Sequence, residues 1–450
     1  MESSLGSAFA LRAIVRPLRI RGIPGVFAAC LLAPLLAACV SGAPPPPPSP
    51  VDDERQYDIV YPYYAELCAV SELNKKPGFG AAISSAFGGH AVLYLNRVCR
   101  RQDTDYPILQ MCDEQAARPG ADGVGLSVNA HYSNAVWVAV EGRDFFFKGD
   151  LADGQTLTRD IYRDVLARAQ DKRIYDGVTF HDEVYDGMPA GFTRRSFQYE
   201  ISAATDFAIK FGRNRYCARI PLQRPRMVKI VQYLNDLNEP YRTGGKVFDW
   251  NVLTHNCSHV NHNALAAAGL WDDWPMDRFI LISMFDFPVP KNEFVNAMRR
   301  ANDLPIDDPE AVFEDEAARK LLLEQDRLPT EPGAIADLDA IADSNDVYDT
   351  ESRIIFYDDP ILGVYQRRFN KIMTEPRYFR LRDNLRYFAA LYEKMERERK
   401  PLEWYLAKRK GDSEQERKAF GIFYEKYYDY LGRQRGAIAQ QSALIDKMNR

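Results

Sequence analysis

The sequence predicts an α+β fold: an antiparallel sheet packed on a cysteine-bearing helix, followed by an α-helical C-terminal region. Three observations carry that expectation. Short apolar runs bounded by Gly, Asn and Asp read as strands in the first two thirds of the chain. Helical patterns fall between them without a regular βαβ alternation, which argues against a doubly wound sheet. The last third carries aromatic and aliphatic residues at steps of three and four. With 450 residues, 46% of them hydrophobic and 12% aromatic, the chain has apolar surface enough for a substantial core and for two folded units.

Residues 1–38 read as a signal peptide. Arg12, Arg16, Arg19 and Arg21 precede the apolar run GVFAACLLAPLLAA, which is too short to span a bilayer and ends in small residues. Its end, Leu36-Ala37-Ala38-Cys39, resembles the bacterial lipobox, which makes Cys39 the expected lipidation site and the first residue of the mature chain. Val40 stands where an aspartate would be the inner-membrane retention cue, so the expectation is an outer-membrane lipoprotein facing the periplasm, held by its lipid anchor. Residues 39–54 contain SGAPPPPPSP, a stiff polyproline tether suited to a surface-anchored domain. Taking four arginines and one glutamate from the 58 basic and 63 acidic residues leaves a net charge of −8, which speaks against a nucleic-acid partner. Export also allows Cys68, Cys99, Cys112 and Cys217 to pair in an oxidising compartment, in any of three ways, leaving Cys257 as an unpaired thiol.

Residues 55–290 are expected to form one domain. AVLYL (91–95), VGLSV (124–128), AVWVAV (135–140) and FAIKF (207–211) read as strands. Helices are expected in TLTRDIYRDVLARAQ from Thr156 and in RPRMVKIVQYLNDL, where Pro225 suits a first turn because its missing amide would be unpaired there. Residues 291–450 are expected to be helical. Tyr378, Leu381, Leu385, Phe388, Leu391 and Met395 line one helix face, and Phe420, Phe423, Tyr427 and Leu431 repeat the pattern. The acidic, proline-containing stretch 302–350 reads as a linker or irregular cover.

The stretch THNCSHVNHNAL (254–265) holds three of the six histidines. A helix from Cys257 to Ala268 is expected, with Asn256 as N-cap and Gly269 as the stop. At roughly 100° per residue Cys257, Val260, Ala264 and Ala267 share a small apolar stripe, while His259 and His262 point elsewhere, towards solvent or backbone caps. A single metal ion cannot take all of them from a regular helix, and neither a metal nor another cofactor is expected. A cysteine in the first turn does meet unpaired amides and the positive end of the helix dipole, which favour the thiolate and could hold an oxyanion. The missing partner is a base from another element. His90 in SSAFGGHAVLYL qualifies, because Gly88 and Gly89 bring a loop tightly into a strand that begins at the histidine.

Gly89-His90 before an apolar strand and, far downstream, Asn256-Cys257 with His259 opening a small-residue helix resemble the circularly permuted papain-like thiol hydrolases. That superfamily includes the NlpC-like cell-wall peptidases and lecithin retinol acyltransferase. The resemblance spans about residues 60–275. It implies a permuted papain-like domain, a Cys257 nucleophile, a His90 general base, an acyl-enzyme intermediate and a third polar residue that orients the histidine. His131 is the candidate for that third place, with Asn134 and His181 behind it, although the cysteine-flanked insertion after Val98 departs from the family spacing. The implied substrates are amides, esters or thioesters of the envelope, in peptidoglycan peptides or phospholipids. The rival expectation is a non-catalytic lipoprotein, a binding or assembly module whose aromatic-rich C-terminal helices meet a protein partner.

Overall fold

A computed structural model of the chain describes residues 52–76, 89–113, 123–152, 154–252, 254–274, 289–339, 345–349 and 365–449. The signal segment, Cys39 and the proline run lie outside them. Among the described residues no helix is long and apolar enough to cross a membrane.

The architecture is α+β. Helix α1 (Asp52–Val60) leads into strand β1 (Tyr64–Val70), then β2 (His90–Asn96), the short β3 (Val98–Arg100) and β4 (Leu109–Met111), β5 (Gly123–Val128) and β6 (Trp137–Glu141). Helices α2 (Arg143–Lys148), α3 (Arg159–Asp171) and α4 (Arg194–Ser202) precede β7 (Arg215–Pro221), α5 (Arg224–Arg242) and α6 (Cys257–Ala267). Then come α7 (Pro290–Asn302), α8 (Pro309–Glu314), α9 (Glu316–Gln325), β8 (Ile335–Asp339), α10 (Tyr365–Thr374), α11 (Leu381–Arg397), α12 (Leu402–Lys408) and α13 (Glu414–Met448). Six strands form one sheet in the order β6-β5-β2-β1-β7-β8, and every neighbouring pair is antiparallel.

Local chemistry explains the elements. Thr158 caps α3 by accepting from the Ile161 amide, and Pro225 opens α5. Serine and glutamate close a capping box at Ser413 and Glu416 on α13. The aromatic stripe of the last third is core: Phe420, Phe423, Tyr427 and Leu431 of α13 are buried, as are Leu385, Phe388 and Tyr392 of the α11 helix packed beside it. The stripe is therefore core, while Trp404 of α12 and Ile422 of α13 are exposed.

Three expectations need correction. FAIKF is no strand but a tight turn with Ala208 at φ 51°, and two inner strands of the sheet, β1 and β7, carry charges that hid them. Stretch 302–350 is no mere linker, because it supplies α8, α9 and the edge strand β8. Strand β8 pairs with β7, and α7 packs on β1 and β7, so the region from 291 onward contributes to the sheet layer and is not only a helical appendage. The described residues, all within 52–449, accordingly belong to one compact unit.

Two disulfides join the framework. Cys68 and Cys217 stand directly opposite each other on β1 and β7 and are bonded, while Cys99–Cys112 ties the β3–β4 hairpin. Beside the first bridge lies a buried ionic cluster. Arg143 reaches Glu66 at 3.0 Å and Asp337 at 3.0 Å, Arg215 reaches Asp337 at 3.1 Å, and Arg219 pairs with both acids. Burial alone would raise both carboxyls, but the surrounding guanidinium groups hold them below the usual carboxylate range.

Candidate functional site

The site begins where β2 starts. Gly89 has φ +80°, and a Cβ there would sit 2.1 Å from the Val70 carbonyl oxygen, so only glycine lets the chain enter β2 this close to the end of β1. His90 follows, 7% exposed, paired in register with Val70. Its ring Nε2 lies 3.0 Å from Ser127 Oγ on β5, and Ser127 Oγ in turn donates to Asp206 Oδ1 at 2.8 Å. The serine proton is thus committed to an oxygen acceptor, so towards the ring the hydroxyl accepts. The Thr205 carbonyl also takes a hydrogen bond from the ring. The serine contact places the proton on Nε2 and leaves Nδ1 as the basic nitrogen, an assignment made from the network.

Asp206 anchors this relay. It sits in the turn that replaced the expected strand, between Ala204 at φ 63° and Ala208 at φ 51°, two non-glycine residues in the left-handed region. Such conformations cost of order 1–3 kcal/mol each and persist where the surroundings fix them. Here the fixing is visible: Asp206 is fully buried and accepts from Ser127, from Asn129 Nδ2 at 3.3 Å, and from the hydroxyls of Tyr132 and Tyr175.

Cys257 approaches from the other side. It is the first residue of α6, 8% exposed, and the free cysteine among the described residues. Asn256 caps the helix: its Oδ1 accepts from the His259 amide at 3.1 Å, and its Nδ2 donates to the Val252 carbonyl at 2.7 Å. One Nδ2 hydrogen is thereby spent on the loop and the second is left over for the cap or an oxyanion, beside the first-turn amides. The sulfur faces the amides of Ala91, next to His90 on β2, of Ser258 and of Cys257 itself, with the Ser258 hydroxyl beside it. Burial raises the thiol and outweighs these donors, so the resting thiol is protonated, contrary to the thiolate that the helix start alone suggested. Burial, aided by the charge of Arg213, pushes the His90 ring down to about 3. The resting pair is therefore neutral thiol and neutral imidazole, and among the described residues the ring and the sulfur share no hydrogen bond.

Arg213 is the residue sequence reasoning missed. It is 1% exposed, follows Gly212 at φ +69°, and its guanidinium lies among Tyr348, Cys257 and Asp206. A Cβ on Gly212 would meet Tyr348 Cβ at 2.4 Å, so the glycine admits the tyrosine beside the site. The signal was present in FGRNRYC, a glycine beside an arginine just before a strand, but nothing local says that the charge is buried.

The other histidines are placed elsewhere. His131 is not in the orienting position, which Ser127 and Asp206 occupy; its ring lies 6.0 Å from that of Phe180, and Nδ1 is buried without a hydrogen-bond partner. Asn134 bonds the backbone of Gly177 and Thr179, and His181 Nε2 lies 2.9 Å from the Phe248 carbonyl. His259 and His262 are buried and not solvated. His262 lies between the indoles of Trp271 and Trp274, with ring centroids 4.5 and 3.6 Å away, and its nitrogens meet Glu293 Oε2 at 2.9 Å and the Asp272 carbonyl at 3.0 Å. Helix α6 is enclosed on all sides of its first turns, which a one-stripe amphipathic reading did not anticipate.

Comparison with family models, curated proteins and solved structures found no match to this chain.

Proposed function

We propose that the protein is a cysteine hydrolase or acyltransferase of the bacterial cell envelope, with a permuted papain-like arrangement of its site. The observation that carries this reading is the chain Asp206, Ser127, His90, which fixes the imidazole tautomer and ends beside the Ala91 amide that faces the Cys257 sulfur. His90 Nδ1 takes the thiol proton as the sulfur attacks an amide, ester or thioester carbonyl. The new S–C bond forms, first-turn amides and that of Ala91 hold the oxyanion, and the bond to the leaving group breaks as His90 returns the proton to it. Water or a second acceptor then takes the acyl group by the same steps reversed. Ser127 is not itself the nucleophile, since its hydroxyl is buried and its proton is given to Asp206.

The lipobox-like end at Cys39 and the proline tether support a position at the periplasmic face of the outer membrane, where peptidoglycan stem peptides and phospholipids are the available acyl compounds. The test is digestion of purified sacculi and of phospholipid vesicles by the wild type, Cys257→Ala and His90→Ala. The expected result is release of peptide or acyl product by the wild type alone. Product release by Cys257→Ala at the wild-type rate, or none by any of the three, overturns the reading.

A further inference from the structure

Arg213 is set apart from the other buried arginines. Arg143, Arg215, Arg219 and Arg226 each reach a carboxylate, Arg226 meeting Glu331 at 2.9 Å. Arg213 is more buried than any of them, yet its Nε and Nη1 have no hydrogen-bond partner. Leaving a buried cation unmatched is costly. The carboxylate in its field, Asp206, does not resolve it, because it already accepts from four neutral donors. What remains within the guanidinium's field is the tyrosine hydroxyl of Tyr348 and the sulfur of Cys257.

We propose that Arg213 is the counter-ion of the Cys257 thiolate: when the thiol proton passes to His90 Nδ1, the charge left on sulfur is held by a guanidinium rather than by an imidazolium. The proposal rests on Cys257 being the reactive thiol but not on any substrate. The groups facing the sulfur support it. On β2 the Ala91 amide, next to His90, meets the sulfur, and on α6 the Ser258 hydroxyl and two amides; Arg213, in the turn before β7, has Tyr348, Cys257 and Asp206 in its field. Arg213 is the permanent cation among them, and its presence disfavours a second positive charge on His90. The unpaired nitrogens are then the resting form of a site completed by the charge that the reaction generates. This preorganises a donor for an anion that appears only during the reaction.

The experiment measures alkylation of Cys257 by iodoacetamide as a function of pH, read by intact mass, in the wild type, Arg213→Gln, Arg213→Lys and His90→Ala. Arg213→Gln is expected to raise the apparent thiol pKa by about one unit or more, which is roughly tenfold slower labelling near neutrality. Arg213→Lys keeps the charge and should restore most of the rate. His90→Ala should leave the midpoint close to wild type. A second readout needs only folded wild type and His90→Ala: iodoacetate should outpace iodoacetamide relative to a free thiol in both, because the attracting cation is arginine. Wild-type labelling in Arg213→Gln, or an iodoacetate preference that is absent from the wild type or lost in His90→Ala, overturns the proposal. The alkylation profile without any acyl transfer would keep Arg213 as the counter-ion and remove the hydrolase reading; acyl transfer with an unaltered profile would do the reverse.

Discussion

Replacing Ser127 by alanine removes the single atom that joins the His90 ring, 3.0 Å away, to the Asp206 carboxylate, 2.8 Å away. Two losses follow. Asp206 falls from four side-chain donors to three, and a hydrogen bond to a charged group contributes about 1.5–3 kcal/mol, so the fold should lose about 2 kcal/mol. The ring keeps only the Thr205 carbonyl as its anchor, and its tautomer and orientation loosen. If that lowers transition-state stabilisation by about 1.4–2.7 kcal/mol, kcat/KM drops by roughly 10- to 100-fold. Urea unfolding reads the first effect as a lower midpoint with an unchanged slope, and product release reads the second. A variant with wild-type midpoint and wild-type turnover would refute the relay. Loss of activity as complete as in Cys257→Ala would instead point to Ser127 as more than an orienting group.

Other outcomes follow from the same structure. Removing the Cys68–Cys217 bridge, which spans 149 residues, should cost more stability than removing Cys99–Cys112, which spans 13, with chain entropy giving about 4–5 against about 3 kcal/mol; equal urea midpoints for the two double-alanine variants would contradict this. Burial pushes the Lys291 ammonium down to about 7 from its ordinary 10.5. Between those values the unfolded chain binds more protons, so this lysine makes stability rise with pH across the window, and Lys291→Met should flatten the rise between pH 7 and 8.5 in urea titrations. His262→Phe keeps an aromatic ring between Trp271 and Trp274 but leaves Glu293 Oε2 without its donor, which should lower stability by about 1–3 kcal/mol; an unchanged thermal midpoint would show that stacking alone holds that residue.

What could be read in advance divides along physical lines. Strands β2, β5 and β6 and helix α6 announced themselves because their apolar patterns and caps are local: Asn256 caps where a cap was expected. Strands β1 and β7 did not, because Glu66, Arg215 and Arg219 look like surface residues until the sheet brings them together with Arg143 and Asp337. The pair His90 and Cys257 was legible as glycine-histidine before a strand and asparagine-cysteine before a helix, and Ala91 does bring those two starts side by side. The orienting group was not. It is one serine inside the apolar VGLSV and one aspartate in a turn made of left-handed alanines, so its position depends on contacts far apart in the chain. Arg213 was hidden for the same reason, since only the assembled core denies it a partner.

The central claim is that Cys257 carries the acyl group. The direct measurement is intact-mass analysis of protein incubated with peptidoglycan fragments or phospholipids and quenched in acid. A mass gain located on Cys257, released by neutral hydroxylamine and absent from Cys257→Ala, is the predicted result. No gain with either class of acyl compound, or a gain that persists in Cys257→Ala, would contradict it.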